Sequence, residues 1–191
     1  MLLQIRIKKS ACLYSMNGRP IKAFFLLTSY ICYMKILMVC LGNICRSPLA
    51  EGILQQKINE KELNWKVESA GTNGFHVGES PHRLSQKVAR LHGIDISHQQ
   101  CTRFLKEDFS RFDIIYAMAS DILEEMKWIG KEQYDSSKVK LLLNESFPGE
   151  NREIPDPWYG KEPGYHIVFN LLEGACDAII KKYDQKKAFP F

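Results

Sequence analysis

An apolar run, Ile36-Leu37-Met38-Val39, ends on Cys40, and five residues then separate that cysteine from Arg46-Ser47-Pro48. A short continuous apolar run bounded by turn residues reads as a buried strand. Ser47-Pro48 reads as a helix opening, with Ser47 as N-cap, Pro48 at the first helical position and Glu51 in the first turns. A strand that passes through so short a loop into a helix points several backbone N–H groups at one spot, which suits a tetrahedral oxyanion. Gly42 and Asn43 are the loop residues able to take positive φ. Arg46 supplies a planar fork for two oxygens. Cys40 supplies a nucleophile below them, and the helix N-terminus and Arg46 favour its thiolate.

The rest of the chain alternates strands with helices. Strands are expected over Lys35–Val39, Trp65–Ala70, Asp113–Met118 and Val139–Leu143. Helices are expected from Ser47 to about Glu62, over Pro81–Leu91 with a stop at His92-Gly93, over Asp121–Trp128, and from about Tyr165 to Tyr183. The last is marked by apolar residues at helical spacing: Ile167, Val168, Leu171, Leu172, Ala175 and Ile179. A long loop, Asn144 to Gly164, carries Pro148, Pro155, Pro157 and Pro163. This order implies an α/β three-layer sandwich, a four-stranded parallel sheet with helices on both faces. In such sheets ligands bind at the carboxyl ends of the strands, where Cys40 lies.

The 191 residues are enough for one domain with a sizeable core. The net charge of +4 is unevenly placed. Residues 1–33 hold Arg6, Lys8, Lys9, Arg19 and Lys22 and no acid, which leaves 21 of the 26 basic residues against all 22 acids. The main body therefore offers no basic surface for nucleic acid. Residues 1–33 read as an extension to a domain at 34–183, with 184–191 as a tail. The sequence Met34-Lys35-Ile36-Leu37 resembles a natural start, and the apolar stretch Ala23–Tyr33 is 11 residues, too short to span a bilayer. An ordered appendage and a signal peptide are the competing readings of this segment; the signal peptide would send a reactive thiolate to an oxidising compartment. The six cysteines are irregularly spaced, with no CxxC and no zinc-finger pattern. That usage fits a reducing cytoplasm with mostly free thiols; separately, no metal and no cofactor are expected.

Cys40-Leu41-Gly42-Asn43-Ile44-Cys45-Arg46-Ser47-Pro48 resembles the signature of the low-molecular-weight protein tyrosine phosphatases, and Asp156-Pro157-Trp158-Tyr159-Gly160 resembles its second half. Ser69-Ala70-Gly71-Thr72 and Lys106-Glu107-Asp108-Phe109 resemble the segments between. The resemblance covers about residues 34–183 and implies a flavodoxin-like fold and hydrolysis of phosphotyrosine through a phosphocysteine on Cys40. Leu41, Gly42, Asn43, Ile44, Cys45 and Ser47 would then line the substrate phosphate, with the Ser47 hydroxyl donating to the sulfur. Asp156 would be the general acid and then base, held by Pro157 and kept protonated by burial beside apolar rings. Its competing reading is a turn-forming Asp before proline. Trp158, Tyr159 and Phe75 would wall a slot deep enough to exclude phosphoserine.

The resemblance also implies that Asn43, Ser69 and His98 brace the loop by hydrogen bonds. The family commonly has an acid after the Met of the third strand; here Ala119 follows Met118, and Asp121 comes two residues later. Cys45, five residues from Cys40, is placed for a reversible disulfide that protects Cys40. Thiol-dependent arsenate reductases have a similar loop but need two further cysteines close together, whereas Cys101 stands alone and Cys176 lies in the closing helix. Protein-arginine phosphatases have Thr where Ile44 stands, and an apolar Ile44 suits a phenyl ring better. A non-catalytic phosphate-binding protein would not need the set Cys40, Arg46 and Asp156. The expected partner is a phosphotyrosine protein, a bacterial-type tyrosine kinase among the candidates, acted on by a monomer or weak dimer.

Overall fold

The computed structural model describes residues 33–184. The extension and the tail read from the sequence therefore lie outside the described residues, except for Tyr33 and Asp184. Four parallel strands form one sheet: β1 (Met34–Cys40), β2 (Trp65–Gly71), β3 (Ile114–Ala117) and β4 (Val139–Leu141), in the order β2-β1-β3-β4. The helices are α1 (Arg46–Glu60), α2 (Arg83–Leu91), α3 (Asp108–Arg111), α4 (Ser120–Gly130) and α5 (Glu162–Tyr183). The chain leaves β1 toward β2 on one side and later returns to β3 on the other. That reversal opens a crevice at the carboxyl end of β1.

β1 is buried on both faces, as its uninterrupted apolar run requires. Alternate side chains separate into two cores. Ile36, Met38 and Cys40 pack with Leu49, Ile53, Phe169 and Leu172 of α1 and α5. Leu37 and Val39 pack with Phe104, Phe109, Ile122 and Met126, under α3 and α4. Among the described residues no helix is long and apolar enough to cross a membrane.

Several boundaries differ from the sequence reading. β4 ends at Leu141 because β3 offers partners only from Ile115 to Ala117, and Leu142–Glu145 forms a 3-10 turn instead. α5 begins at Glu162, so Pro163 belongs to its first turn, where a missing N–H costs nothing. α2 begins at Arg83, with His82 as its cap: His82 Nδ1 accepts from Leu84 N at 3.3 Å. The single turn of α3 has no sequence period; Asp108 holds it by accepting from Leu105 N at 2.8 Å and pairing with Arg111 at 2.7 Å.

Candidate active site

The loop from Leu41 to Cys45 joins β1 to α1 and turns at Asn43, whose φ is +54°. Gly42 does not take a positive φ, contrary to expectation; its role is close approach, since a Cβ there would meet the His76 imidazole at 3.2 Å. A second glycine supports the loop from below. A Cβ on Gly71, at the end of β2, would lie 2.8 Å from Leu41 O and 2.9 Å from Asn43 N.

The left-handed turn at Asn43 is held by every polar group of that residue. Its N–H points at Cys40 Sγ at 3.3 Å, and its C=O accepts from the Cys101 thiol at 2.7 Å. Nδ2 donates to Ser47 Oγ at 2.9 Å and to Ser69 Oγ at 2.8 Å, and Oδ1 accepts from Thr102 N at 2.7 Å. Ser69 Oγ passes the chain on to Glu51 Oε2 at 2.6 Å, and burial raises the Glu51 carboxyl above its ordinary range. Asn43 itself is 1% exposed, so a missing partner would leave an unsatisfied buried group.

Ser47 is not the N-cap. Cys45 holds that position without a side-chain cap, and Ser47 lies one residue inside α1. Ser47 Oγ accepts from Asn43 Nδ2 and lies 3.0 Å from Cys40 Sγ and 3.4 Å from Ala70 O, so its one proton can turn to either; a thiolate, which can only accept, draws it to the sulfur. Negative charge on the sulfur therefore meets two donors, Ser47 Oγ and Asn43 N. The uncapped N–H groups of α1 are of the kind that bind anions at helix N-termini.

His98 is exposed and makes no hydrogen bond to this brace among the described residues. Cys101 and Thr102, on the strand-like segment beside β2, hold Asn43 instead. No sequence signal marks Thr102, because its contribution is a backbone N–H. Ala119 occupies the cap position of α4, where Glu153 accepts from Ser120 N at 2.9 Å and also bonds Ser120 Oγ. Asp121 does not substitute for the acid the family has there; its carboxylate accepts from its own neighbour, Ile122 N, at 2.8 Å.

Arg46 is 5% exposed and reaches across to the late loop. Nη1 donates to Ile154 O at 3.3 Å, and Nη2 meets Asp156 Oδ2 at 2.6 Å. Ile154 N also bonds Met118 O at 2.8 Å, which ties this loop to the end of β3. Asp156 is not buried beside apolar rings as expected: its side chain is 38% exposed, and the Arg46 ion pair positions it. Its other oxygen accepts from Trp158 N at 3.0 Å, a turn of the kind Asp forms locally. Asp156 thus forms the local turn and lines the pocket at once.

These groups converge on one pocket of about 270 Å³, lined by Cys40, Leu41, Gly42, Ile44, Cys45, Arg46, Asn73, Phe75, His76, Asp156, Trp158 and Tyr159. Asn73 and His76 were not anticipated from the sequence. Phe75 and Tyr159 are exposed rims, and Trp158 packs edge-on to His82 at 5.4 Å between ring centres. Cys45 turns toward α5: its thiol is 3.7 Å from Tyr165 Oη, and burial pushes it up to about 12. The Tyr165 hydroxyl donates to His82 Nδ1 at 2.9 Å, since that nitrogen already accepts from Leu84 N. Among the described residues no group of three or more His, Cys, Asp or Glu is placed to hold a metal ion.

Residues 35–188 match the family model of the low molecular weight phosphotyrosine protein phosphatases. The human low molecular weight phosphotyrosine protein phosphatase is 35% identical over 150 residues, covering 77% of this chain and 94% of the human protein. The crystal structure of a protein tyrosine phosphatase from Entamoeba histolytica, with Hepes in its active site, superposes with a TM-score of 0.73 at 36% identity, covering 81% of this chain and 99% of that one. Wzb of Vibrio vulnificus, in complex with benzylphosphonate, superposes with a TM-score of 0.70 at 28% identity over 78% of this chain and 98% of its own.

Proposed function

The chain belongs to the low molecular weight phosphotyrosine protein phosphatase family, and from that premise we propose that it hydrolyses phosphotyrosine through a phosphocysteine on Cys40, with Asp156 as general acid and then base. The observation that carries this reading is the convergence of Cys40, Arg46 and Asp156 on one pocket. A phosphate dianion in the loop takes the Arg46 fork, the Asn43-side amides and the α1 N-terminus. The Asp156 carboxyl, displaced from Arg46, then faces the oxygen that bridges phosphorus and the ring.

Cys40 sulfur attacks phosphorus in line as the P–O(aryl) bond breaks, and the Asp156 carboxyl gives its proton to the departing phenol oxygen. The Asp156 carboxylate next takes a proton from a water that attacks the phosphocysteine. The P–S bond breaks, inorganic phosphate leaves, and the Ser47 hydroxyl donates to the released sulfur. Ile44 and the rings of Phe75, Trp158 and Tyr159 favour an aryl ester over the shorter phosphoserine.

The substrate is then a phosphotyrosine protein, and a bacterial-type tyrosine kinase would be one such. A reducing cytoplasm suits an enzyme whose four described cysteines are all free. Redox protection of Cys40 by Cys45 belongs to the same reading; it requires Cys45 to leave Tyr165. Turnover of p-nitrophenyl phosphate by the wild type and rapid acid quench with ³²P-labelled substrate test the mechanism together. The label should be trapped on Cys40, and Cys40→Ser should bind a phosphotyrosine peptide without turnover. Wild-type rates in Cys40→Ser would overturn it.

A further inference from the structure

A second groove, of about 550 Å³, adjoins the catalytic pocket: Asn73 and Phe75 line both. Its walls are the loop after β2, with Thr72 and Phe75, and the end of α4, with Glu125, Trp128 and Ile129. Trp128 is 75% exposed and Phe75 85%, two large rings left in water on one continuous surface. Arg103 runs along the groove beside Gly74, where an added Cβ would meet its Cδ at 3.5 Å. Arg103 has no ion-pair partner among the described residues, in contrast to Arg46, Arg111 and Arg152. The Thr72 side chain is also unusual: the residue is 5% exposed, yet its hydroxyl has no hydrogen-bond partner. A buried hydroxyl without a partner is costly, and this one lines the groove.

We propose that this groove binds the polypeptide that flanks the phosphotyrosine of a protein substrate, and so sets which phosphotyrosines the enzyme selects. The proposal rests on the phosphatase reading of the adjoining pocket. A tyrosine ring seated in that pocket leaves its main chain at the rim formed by Phe75. One or two residues of extended chain, at about 3.3 Å each, then enter the groove. An apolar side chain packs against Trp128 and Ile129. A carboxylate side chain takes the planar fork of Arg103. Glu125, half-buried at the same groove, disfavours a second acid close to Trp128 and limits the preference to one.

Two phosphotyrosine heptapeptides test this, one with Leu and Glu on each side of the phosphotyrosine, the other with Gly and Lys. The wild type should favour the first by about tenfold in kcat/KM, the size of one good anchor contact. Trp128→Ala should lose most of that preference through KM, with kcat and the rate on p-nitrophenyl phosphate unchanged. Arg103→Ala should lose part of the same preference, again through KM, and should turn over a third heptapeptide, with Leu and Lys, as well as the one with Leu and Glu. Equal KM for both peptides in the wild type, or an unchanged ratio in Trp128→Ala, overturns the groove while p-nitrophenyl phosphate is still hydrolysed. Failure of the wild type to turn over p-nitrophenyl phosphate overturns the phosphatase reading, and the groove with it.

Discussion

Arg46 Nη2 meets Asp156 Oδ2 at 2.6 Å, across 110 residues of sequence. The same guanidinium is the fork that the proposed mechanism offers to phosphate, so substrate and carboxyl compete for it. Replacing Asp156 with Asn removes the proton donor and keeps the shape. Proton transfer of this kind contributes about 10²–10⁴ in rate. Asp156→Asn should lower kcat by about a hundredfold on phenyl phosphate, and by much less on p-nitrophenyl phosphate, whose leaving group needs no proton. Steady-state rates across a series of aryl phosphates measure this; equal losses across the series would mean that Asp156 positions substrate and transfers no proton.

Asn43 combines a left-handed φ with five hydrogen bonds, and two substitutions separate these contributions. Asn43→Ala loses the side-chain bonds and strains the turn, a destabilisation of about 2–4 kcal/mol. Asn43→Gly loses the same side-chain bonds without the strain, and should recover about 1 kcal/mol of it. Both should lower kcat, because Ser47 then loses the donor that orients its hydroxyl. Urea midpoints and p-nitrophenyl phosphate kinetics on the pair give the comparison.

Gly71→Ala places a Cβ against Leu41 O and Asn43 N, both main-chain atoms of the loop. Backbone cannot rotate away as a side chain would, so the loop must shift. A loss of about 1–3 kcal/mol in stability is expected, with a fall in kcat that exceeds the change in KM. A fully active Gly71→Ala enzyme would show that the loop tolerates displacement.

Burial pushes both the Cys45 and the Cys101 thiols up to about 12, and that of buried Cys176 upward as well. These three stay protonated and slow toward electrophiles at neutral pH. Iodoacetamide at pH 7 should therefore label Cys40 first among the four described cysteines, as read by peptide mass spectrometry. If Cys45 serves as the redox partner, peroxide inactivation should be reversed by dithiothreitol in the wild type and not in Cys45→Ser.

Burial and the neighbouring Arg83 charge lower His82 from an ordinary value of 6.5. Its neutral ring accepts from Leu84 N and from Tyr165 Oη–H. A depressed folded-state value means that the unfolded chain takes up the proton first. The contribution is fully present above about pH 6.5 and is lost as pH falls through the folded-state value. Denaturation midpoints between pH 7.5 and 5.5 should fall more steeply for the wild type than for His82→Asn, which keeps a capping side chain without a titrating one.

The loop from Cys40 to Arg46 was legible because its signals are local. Apolar Ile36–Val39, a cysteine and an arginine at fixed spacing, and a proline suited to a first helical turn lie within 13 residues. The alternation of strands and helices announced the parallel sheet for the same reason. Boundaries were less legible where they depend on a partner: β4 is short because β3 is, and α5 absorbs Pro163 because its first turn has no use for that N–H. Ser47 looked like a cap because Ser before Pro usually is one. It is instead drawn into the helix by Asn43 and Cys40.

The chain by itself determined which side chains the proposed chemistry can draw on: a thiol, a guanidinium, a carboxyl and aromatic rings. It also determined the sheet on which they are mounted, since periodicity and turn residues act over a few positions. Tertiary structure alone decided what holds them. Thr102 N, Cys101 Sγ and Ile154 O reach Asn43 and Arg46 from 59, 58 and 108 residues away, two of them through backbone groups. Such contacts have no residue-type signature, because the partner is chosen by where the sheet brings the chain and not by what the side chain is. His98, exposed, makes no hydrogen bond to the brace among the described residues, but its charge acts on Glu51 at the end of that chain, a link that depends on where the fold places the two residues.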